Sequence, residues 1–114
     1  MDEWITPYVR PQENANRTDV RRVRFTARDG HGLMISAPAA APLSVSAWPY
    51  RLEDLEVASH DDELPRRDRI TVNLDHLQMG VGGDNAWGLE VHPPYRITPG
   101  RTYEWRFRLE AVSP

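Results

Sequence analysis

Alternation of large apolar and polar side chains near the end of the chain is the feature that most constrains its fold. Between residues 101 and 110, every second position is aromatic or aliphatic: Tyr103, Trp105, Phe107 and Leu109. Successive side chains of a β-strand point to opposite faces, so this period of two predicts a strand with one buried and one solvated face. Pro99-Gly100 supplies a turn before it, and residues 95–98 are predicted to be its antiparallel partner.

Shorter runs of the same kind predict further strands. The turn at 29–32 separates an alternating run at 23–27 from residues 33–36, which predicts a hairpin. Two more strands are predicted at 43–48 and 69–77. A helical spacing of apolar residues occurs at 51–59, where one side is predicted to carry Leu52, Leu55 and Ala58. We therefore predict an all-β fold, an antiparallel β-sandwich with one short helix near 51–59.

Size and charge narrow the class of protein. The 114 residues fit a single domain, 1–114, with 39% hydrophobic and 27% charged residues, as in globular chains. Fourteen arginines are interleaved with seventeen acids at a net charge of −3, which predicts a salt-bridged surface and no nucleic-acid partner. With no cysteine, no signal sequence and no apolar run near the roughly 20 residues of a membrane span, we expect a cytoplasmic protein without a membrane partner.

The first 18 residues are polar and interrupted by proline, yet they contain four large side chains: Trp4, Ile5, Tyr8 and Val9. Strand signals are weak there, so residues 1–18 are predicted to be an extended segment. So many large side chains indicate that this segment packs against another surface, which sequence outside this chain could supply.

A glycine-rich loop at 78–88 carries the clearest candidate binding residues. Gly80, Gly82 and Gly83 are followed by Asp84, Asn85 and Trp87. Glycine serves where the backbone needs φ > 0 or where another group approaches closely, so we expect these residues to shape the loop. The ring of Trp87 could then stack on the apolar face of a sugar. The alternative is that Trp87 is a core residue and Asp84 caps the turn through its own backbone. Composition alone favours that alternative.

Other chemistries find less support. The loop lacks the lysine and hydroxyl of a phosphate-binding loop and the alternating oxygen ligands of a calcium loop. No zinc-ligand spacing connects the four histidines, His31, His60, His76 and His92. Glycoside hydrolysis needs two carboxylates flanking the bond, and no pair stands out. We therefore assign neither a catalytic residue nor a metal ligand to this chain.

Three stretches, in order along the chain, resemble the large bacterial β-galactosidases of the LacZ type. Residues 8–21 are similar to the family's YxRPQENGNRTDVR block, and residues 50–65 resemble its short helical segment. Residues 73–75 lead into the third stretch, QMGVGGD at 78–84. The resemblance spans nearly the whole chain, although Ala15 replaces the usual glycine of the first block and Ala86 a common serine. If Ala15 must adopt φ > 0, its backbone is strained.

This resemblance implies that the chain is the C-terminal part of the family's last domain, a sandwich related to galactose mutarotase. In the family, a retaining mechanism uses two glutamates on a TIM barrel, with magnesium and sodium nearby, and none of these parts maps onto this chain. One functional residue does: Trp87 corresponds to the tryptophan that forms a platform for the substrate at the mouth of the active site. The implied activity is hydrolysis of terminal β-galactosides such as lactose.

The expected partners are the catalytic and other domains of the parent enzyme and a galactoside substrate. The isolated chain is expected to be inactive and to associate through strand edges and apolar surface. Two alternatives remain: a stand-alone carbohydrate-binding module, and a separately encoded small subunit of a heteromeric β-galactosidase.

Overall fold

The computed structural model describes residues 2–80, 83–85, 88 and 90–114. Its α-helix, α1, is Leu52–Val57, and single 3-10 turns are Asp2–Trp4, Asp61–Glu63 and Pro93–Tyr95. Its strands are β1 Arg17–Val20, β2 Arg22–Thr26, β3 Gly32–Ser36, β4 Leu43–Trp48, β5 Thr71–Asp75 and β6 Arg108–Val112. They form two three-stranded sheets, in the orders β1-β4-β5 and β2-β3-β6. The predicted all-β fold class with one short helix is confirmed for the described residues.

The chain divides into two compact units. Residues 1–20 and 44–74 form the first unit, and residues 21–43 and 75–114 form the second. Helix α1 and nearly all of the β1-β4-β5 sheet belong to the first unit, whereas the β2-β3-β6 sheet belongs to the second.

A buried cluster in the first unit explains its local structure. The cluster contains Ala15, Trp48, Tyr50 and Leu55, with Trp4, Ile5 and Leu64 packed against it. Strand β4 occupies the predicted residues 43–48 and contributes Trp48, which is 1% exposed. The large side chains at the start of the N-terminal segment therefore pack on this chain's own core, whereas Val9 is 84% exposed.

Helix α1 forms where the spacing of apolar residues predicts it, but fewer of its apolar residues are buried than the spacing suggests. Leu55 and Ala58 are buried, whereas Leu52 is 45% exposed, so the three residues predicted to share one side are not buried together. The helix has six residues and ends at Val57, and Ala58 is already extended. Helical spacing therefore does not set the position of Ala58, which lies beyond the end of the helix.

The antiparallel sheet of the second unit contains the predicted hairpin. Strands β2 and β3 pair with Thr26 opposite Gly32, and the Asp29 carboxylate accepts a hydrogen bond from the His31 amide at 3.0 Å. A Cβ at Gly32 would lie 2.0 Å from the carbonyl oxygen of Phe25, so only glycine fits at this end of the hairpin.

The strand predicted at 101–110 is wrong over most of its length. Strand β6 begins at Arg108, and its partner is β3 rather than residues 95–98, part of which lies in a 3-10 turn. Phe107 is 40% exposed and Leu109 54%, so the predicted buried face is partly open. Alternation shows which side chains share a face. A β-strand also needs a neighbouring strand with which its backbone can form hydrogen bonds. None of the described residues supplies one to 101–107.

The predicted strand at 69–77 is present but shorter, as β5. No helix among the described residues has the length and apolar character to cross a membrane.

Candidate functional site

The glycine loop begins with a close backbone contact at Gly80. Its amide donates a hydrogen bond to the carbonyl oxygen of Tyr95 at 3.0 Å. A Cβ at Gly80 would lie 2.8 Å from the Cβ of Tyr95 and 3.2 Å from a methyl carbon of Val91. The φ of Gly80 is outside the left-handed range. Glycine is therefore required here by close approach, the second of the two reasons for its use.

The two polar residues of the loop each make a defined contact. Asp84 Oδ1 lies 2.9 Å from Nε2 of His92, and both side chains are exposed. Asn85 Oδ1 accepts a hydrogen bond from the Gly88 amide at 3.2 Å. The local cap of the turn is thus made by Asn85, whereas Asp84 binds a side chain eight residues further along the chain.

The contacts of Gly80 and Asp84 come from one short segment, residues 91–96, which we call the proline turn. Pro93 and Pro94 start its 3-10 turn, and the Tyr95 amide donates to the His92 carbonyl at 2.9 Å. The Arg96 side chain connects the two ends of this segment. It donates a hydrogen bond to the Val91 carbonyl and forms an ion pair of 2.6 Å with Glu90. Because the proline rings fix φ near −65°, the turn is stiff.

Of the residues predicted to form the loop, Gly80 and Asp84 both contact the proline turn, Asn85 binds the Gly88 amide, and Gly83 is exposed. Gly82 and Trp87 lie outside the described residues. The binding role of Trp87 stays a prediction.

Sequence reasoning missed the two residues that hold the loop, His92 and Tyr95. The available signal was the Pro93-Pro94 pair between them, because consecutive prolines mark a rigid turn. The spacing of the histidines gives no sign of a partner for His92, because its carboxylate partner is visible only in three dimensions.

Among the described residues, two carboxylates have clearly shifted pKa values, and both shifts are downward. Hydrogen bonds from the Arg67 side chain, and then from the Arg51 amide, lower the pKa of Asp54 from 3.8 to about 2. The Ser59 amide, followed by the His60 side chain, lowers the pKa of Glu63. A general acid that works near neutral pH needs a raised pKa, so neither carboxylate has the character of a proton donor.

The described residues also contain no group of three or more histidine, aspartate or glutamate side chains that could hold a metal ion. No step proposed for this chain passes through magnesium or sodium.

Comparison with known proteins identifies the family to which this chain belongs. The sequence profile described as "Beta galactosidase small chain" matches residues 1–109. A β-galactosidase of Priestia megaterium is 41% identical over 98% of this chain and 11% of its own length. One of Vibrio cholerae is 36% identical over 100% of this chain and 10% of its own, and β-galactosidase BgaC of Bifidobacterium adolescentis is 42% identical over 80% and 9%.

The chain belongs to the β-galactosidase small chain family. It spans about a tenth of the length of the curated relatives it matches.

Proposed function

We propose that this chain is the C-terminal sandwich portion of a cytoplasmic β-galactosidase of the LacZ type, and that it contributes Trp87 as a substrate platform. The parent enzyme would hydrolyse terminal β-galactosides such as lactose with retention of configuration. The observation that supports the proposal is the anchoring of Gly80 and Asp84, which are both bound to the proline turn and precede Trp87 in the sequence.

In this proposal the chain binds and orients the substrate, and it does not contain the residues that catalyse the hydrolysis. Trp87 would present an apolar ring to one face of the incoming disaccharide. The two catalytic glutamates, the magnesium and the sodium belong to other domains. The small share of each relative that this chain covers is consistent with that division.

The test is Trp87→Ala in the full-length β-galactosidase that contains this segment. We expect the KM for lactose to rise at least about fivefold, the usual minimum when a central aromatic anchor is truncated, while kcat changes less. Trp87→Phe retains a ring and should recover most of the affinity. Trp105→Ala, which removes a tryptophan that is 38% exposed, is the matched control. An unchanged KM in Trp87→Ala would refute the platform.

A separately encoded small subunit is the second candidate, and the family's description as a small chain favours it. The mass of the native polypeptide that contains these residues separates the two. A band of about the size of this chain supports the subunit, whereas one of about ten times that size supports a domain of a longer enzyme.

For either candidate we expect the isolated chain to show no hydrolysis of a chromogenic galactoside. Calorimetric titration with lactose should detect no binding, because half of the site is missing. Clear saturable binding by the isolated chain would instead establish a stand-alone carbohydrate-binding module.

A further inference from the structure

We propose that a cleft in the first unit binds the phosphate group of a small phosphate ester through Arg51, Arg67 and Arg69. The cleft lies between residues 50–51, at the start of helix α1, and residues 67–71, which lead into β5. Its volume is about 570 Å³. The glycine loop takes no part in this site, so the inference does not depend on the function proposed above.

Two hydrogen bonds and one ion pair hold the two walls of the cleft together. The Arg67 amide donates to the Pro49 carbonyl at 2.7 Å, and the Thr71 hydroxyl donates to the Tyr50 carbonyl at 2.6 Å. The Arg67 side chain also binds both carboxylate oxygens of Asp54, at 3.0 Å from Nε and 2.5 Å from Nη2. Because the walls are already fixed, a ligand loses little affinity to the ordering of the backbone.

The three guanidinium groups keep N–H donors for a ligand. Arg67 directs Nε and Nη2 at Asp54, so Nη1 is left over, and the side chain is 39% exposed. Arg51 and Arg69 are exposed, and neither forms an ion pair with a residue that the structure describes. A guanidinium presents its donors in a planar fork that matches two phosphate oxygens, so this set of donors suits a phosphate group.

The charges of the cleft favour an anion. Asp54 and Asp68 supply two negative charges against the three arginines, so the site keeps an excess of one positive charge. Asp54 is already bound through both oxygens, which leaves Asp68 as the acid in the lining itself.

The size of the cleft favours an ester over a free phosphate ion. The volume is larger than a phosphate group fills, and Ile70 in the lining is 48% exposed. The organic part of an ester can cover this apolar side chain, which adds to the affinity.

The test is an NMR titration of the isotope-labelled chain at constant ionic strength, followed through its backbone amides and the Nε–H groups of its arginines. The probe is galactose 6-phosphate, and galactose is its uncharged counterpart. We expect the phosphate ester to shift the signals of residues 51 and 67–71 to saturation, with a Kd of roughly 1 mM. Galactose should shift none of them, and inorganic phosphate should shift the same residues with a Kd at least about twofold higher. Equal shifts from galactose, or none from the ester, would overturn the inference.

Variants separate a site from general attraction between the ester and a positive surface. Arg51→Gln and Arg69→Gln each remove one guanidinium group but keep the pair of Arg67 with Asp54. Each should raise the Kd of galactose 6-phosphate at least about threefold. Arg24→Gln is the matched control, because it removes the same charge from an exposed arginine of β2 in the second unit. It should bind as wild type does. An equal loss in Arg24→Gln, or wild-type affinity in both cleft variants, would show that the cleft is not the site.

Discussion

Ala15 combines an unfavourable backbone conformation with a buried side chain. Its φ is +64°, the left-handed region in which alanine costs roughly 1–2 kcal/mol relative to glycine. It is also 5% exposed and part of the buried cluster of the first unit. Neighbouring bonds hold the turn, because Asn14 accepts from the Thr6 amide at 3.0 Å and donates to the Gln12 carbonyl at 2.9 Å. The strain expected from the alanine-for-glycine replacement is confirmed as a positive φ.

We predict that Ala15→Gly leaves the free energy of unfolding within about 0.5 kcal/mol of wild type. Relief of roughly 1 kcal/mol of backbone strain is offset by loss of a buried methyl, which contributes about 0.8 kcal/mol. The control is Ala47→Gly, the same change at a fully buried position of β4, where φ is not positive. It should cost about 1–2 kcal/mol, because no strain is relieved. Urea denaturation measures both, and equal losses would contradict the account.

At the scale of elements, helix α1 depends on contacts outside itself. Six residues are too few for a stable helix in water. Asp54 accepts the Arg51 amide at 2.8 Å at the start of the helix, and Arg67 binds both oxygens of the same carboxylate, at 2.5 and 3.0 Å. The Arg67 amide also donates to the Pro49 carbonyl at 2.7 Å. One carboxylate therefore caps the helix and ties it to the segment before β5.

This tie predicts a pH dependence of stability. The pKa of Asp54 is about 2 in the folded chain, against an ordinary value of 3.8, mainly because of its hydrogen bonds from Arg67. A carboxyl with a lowered folded pKa contributes stability above its unfolded pKa, and that contribution is lost as the pH falls from about 4 to about 2. Asp54→Asn should lower the unfolding temperature at pH 7 and flatten its decline between pH 4 and 2.

A second variant, Arg67→Gln, tests the same pH dependence from the other partner of the ion pair. It removes the main cause of the shift but keeps the Asp54 carboxylate, so it should also flatten the pH profile over the same window. Thermal unfolding followed by circular dichroism at half-unit pH intervals is sufficient. A wild-type decline in either variant would show that the Arg67 contact is not what lowers the pKa of Asp54.

On the scale of the whole molecule, one face of the β2-β3-β6 sheet is apolar and partly open. The register sets Val23 and Leu109 on either side of Ile35, and Phe25 and Ala111 on either side of Leu33. Ile35 is 3% exposed, but Leu33 is 40% and Leu109 54% exposed. A contiguous apolar face of this kind marks a surface that another surface covers.

We therefore predict that the isolated chain associates as its concentration rises. Light scattering between micromolar and millimolar concentrations should show a growing mean mass. The double variant Leu33→Lys/Leu109→Lys should weaken the association at least about tenfold, because two charges would have to be buried. Val57→Lys, at an apolar position of α1 that is 83% exposed, is the control and should associate as wild type does. A wild-type chain that stays monomeric throughout would contradict the prediction.

Several secondary-structure elements could be predicted from the sequence because the interactions that form them lie within a few residues. The hairpin follows from its turn residues, β4 from its alternating run, and α1 from the spacing of its apolar residues. The glycine loop was recognisable for the same reason, since a cluster of glycines before polar residues is rare without a backbone requirement.

Tertiary structure alone decided which residues meet. Residues 101–107 have the alternation of a strand, but alternation specifies faces and not hydrogen-bond partners, so the strand begins only at Arg108. Leu52 and Leu55 have the same apolar character, but only Leu55 reaches the core. The contact between His92 and Asp84 joins two segments whose spacing along the chain predicts nothing. The sequence therefore determined most local conformation and the family, whereas strand pairing, burial and the anchoring of the loop depended on contacts that form only when the chain folds.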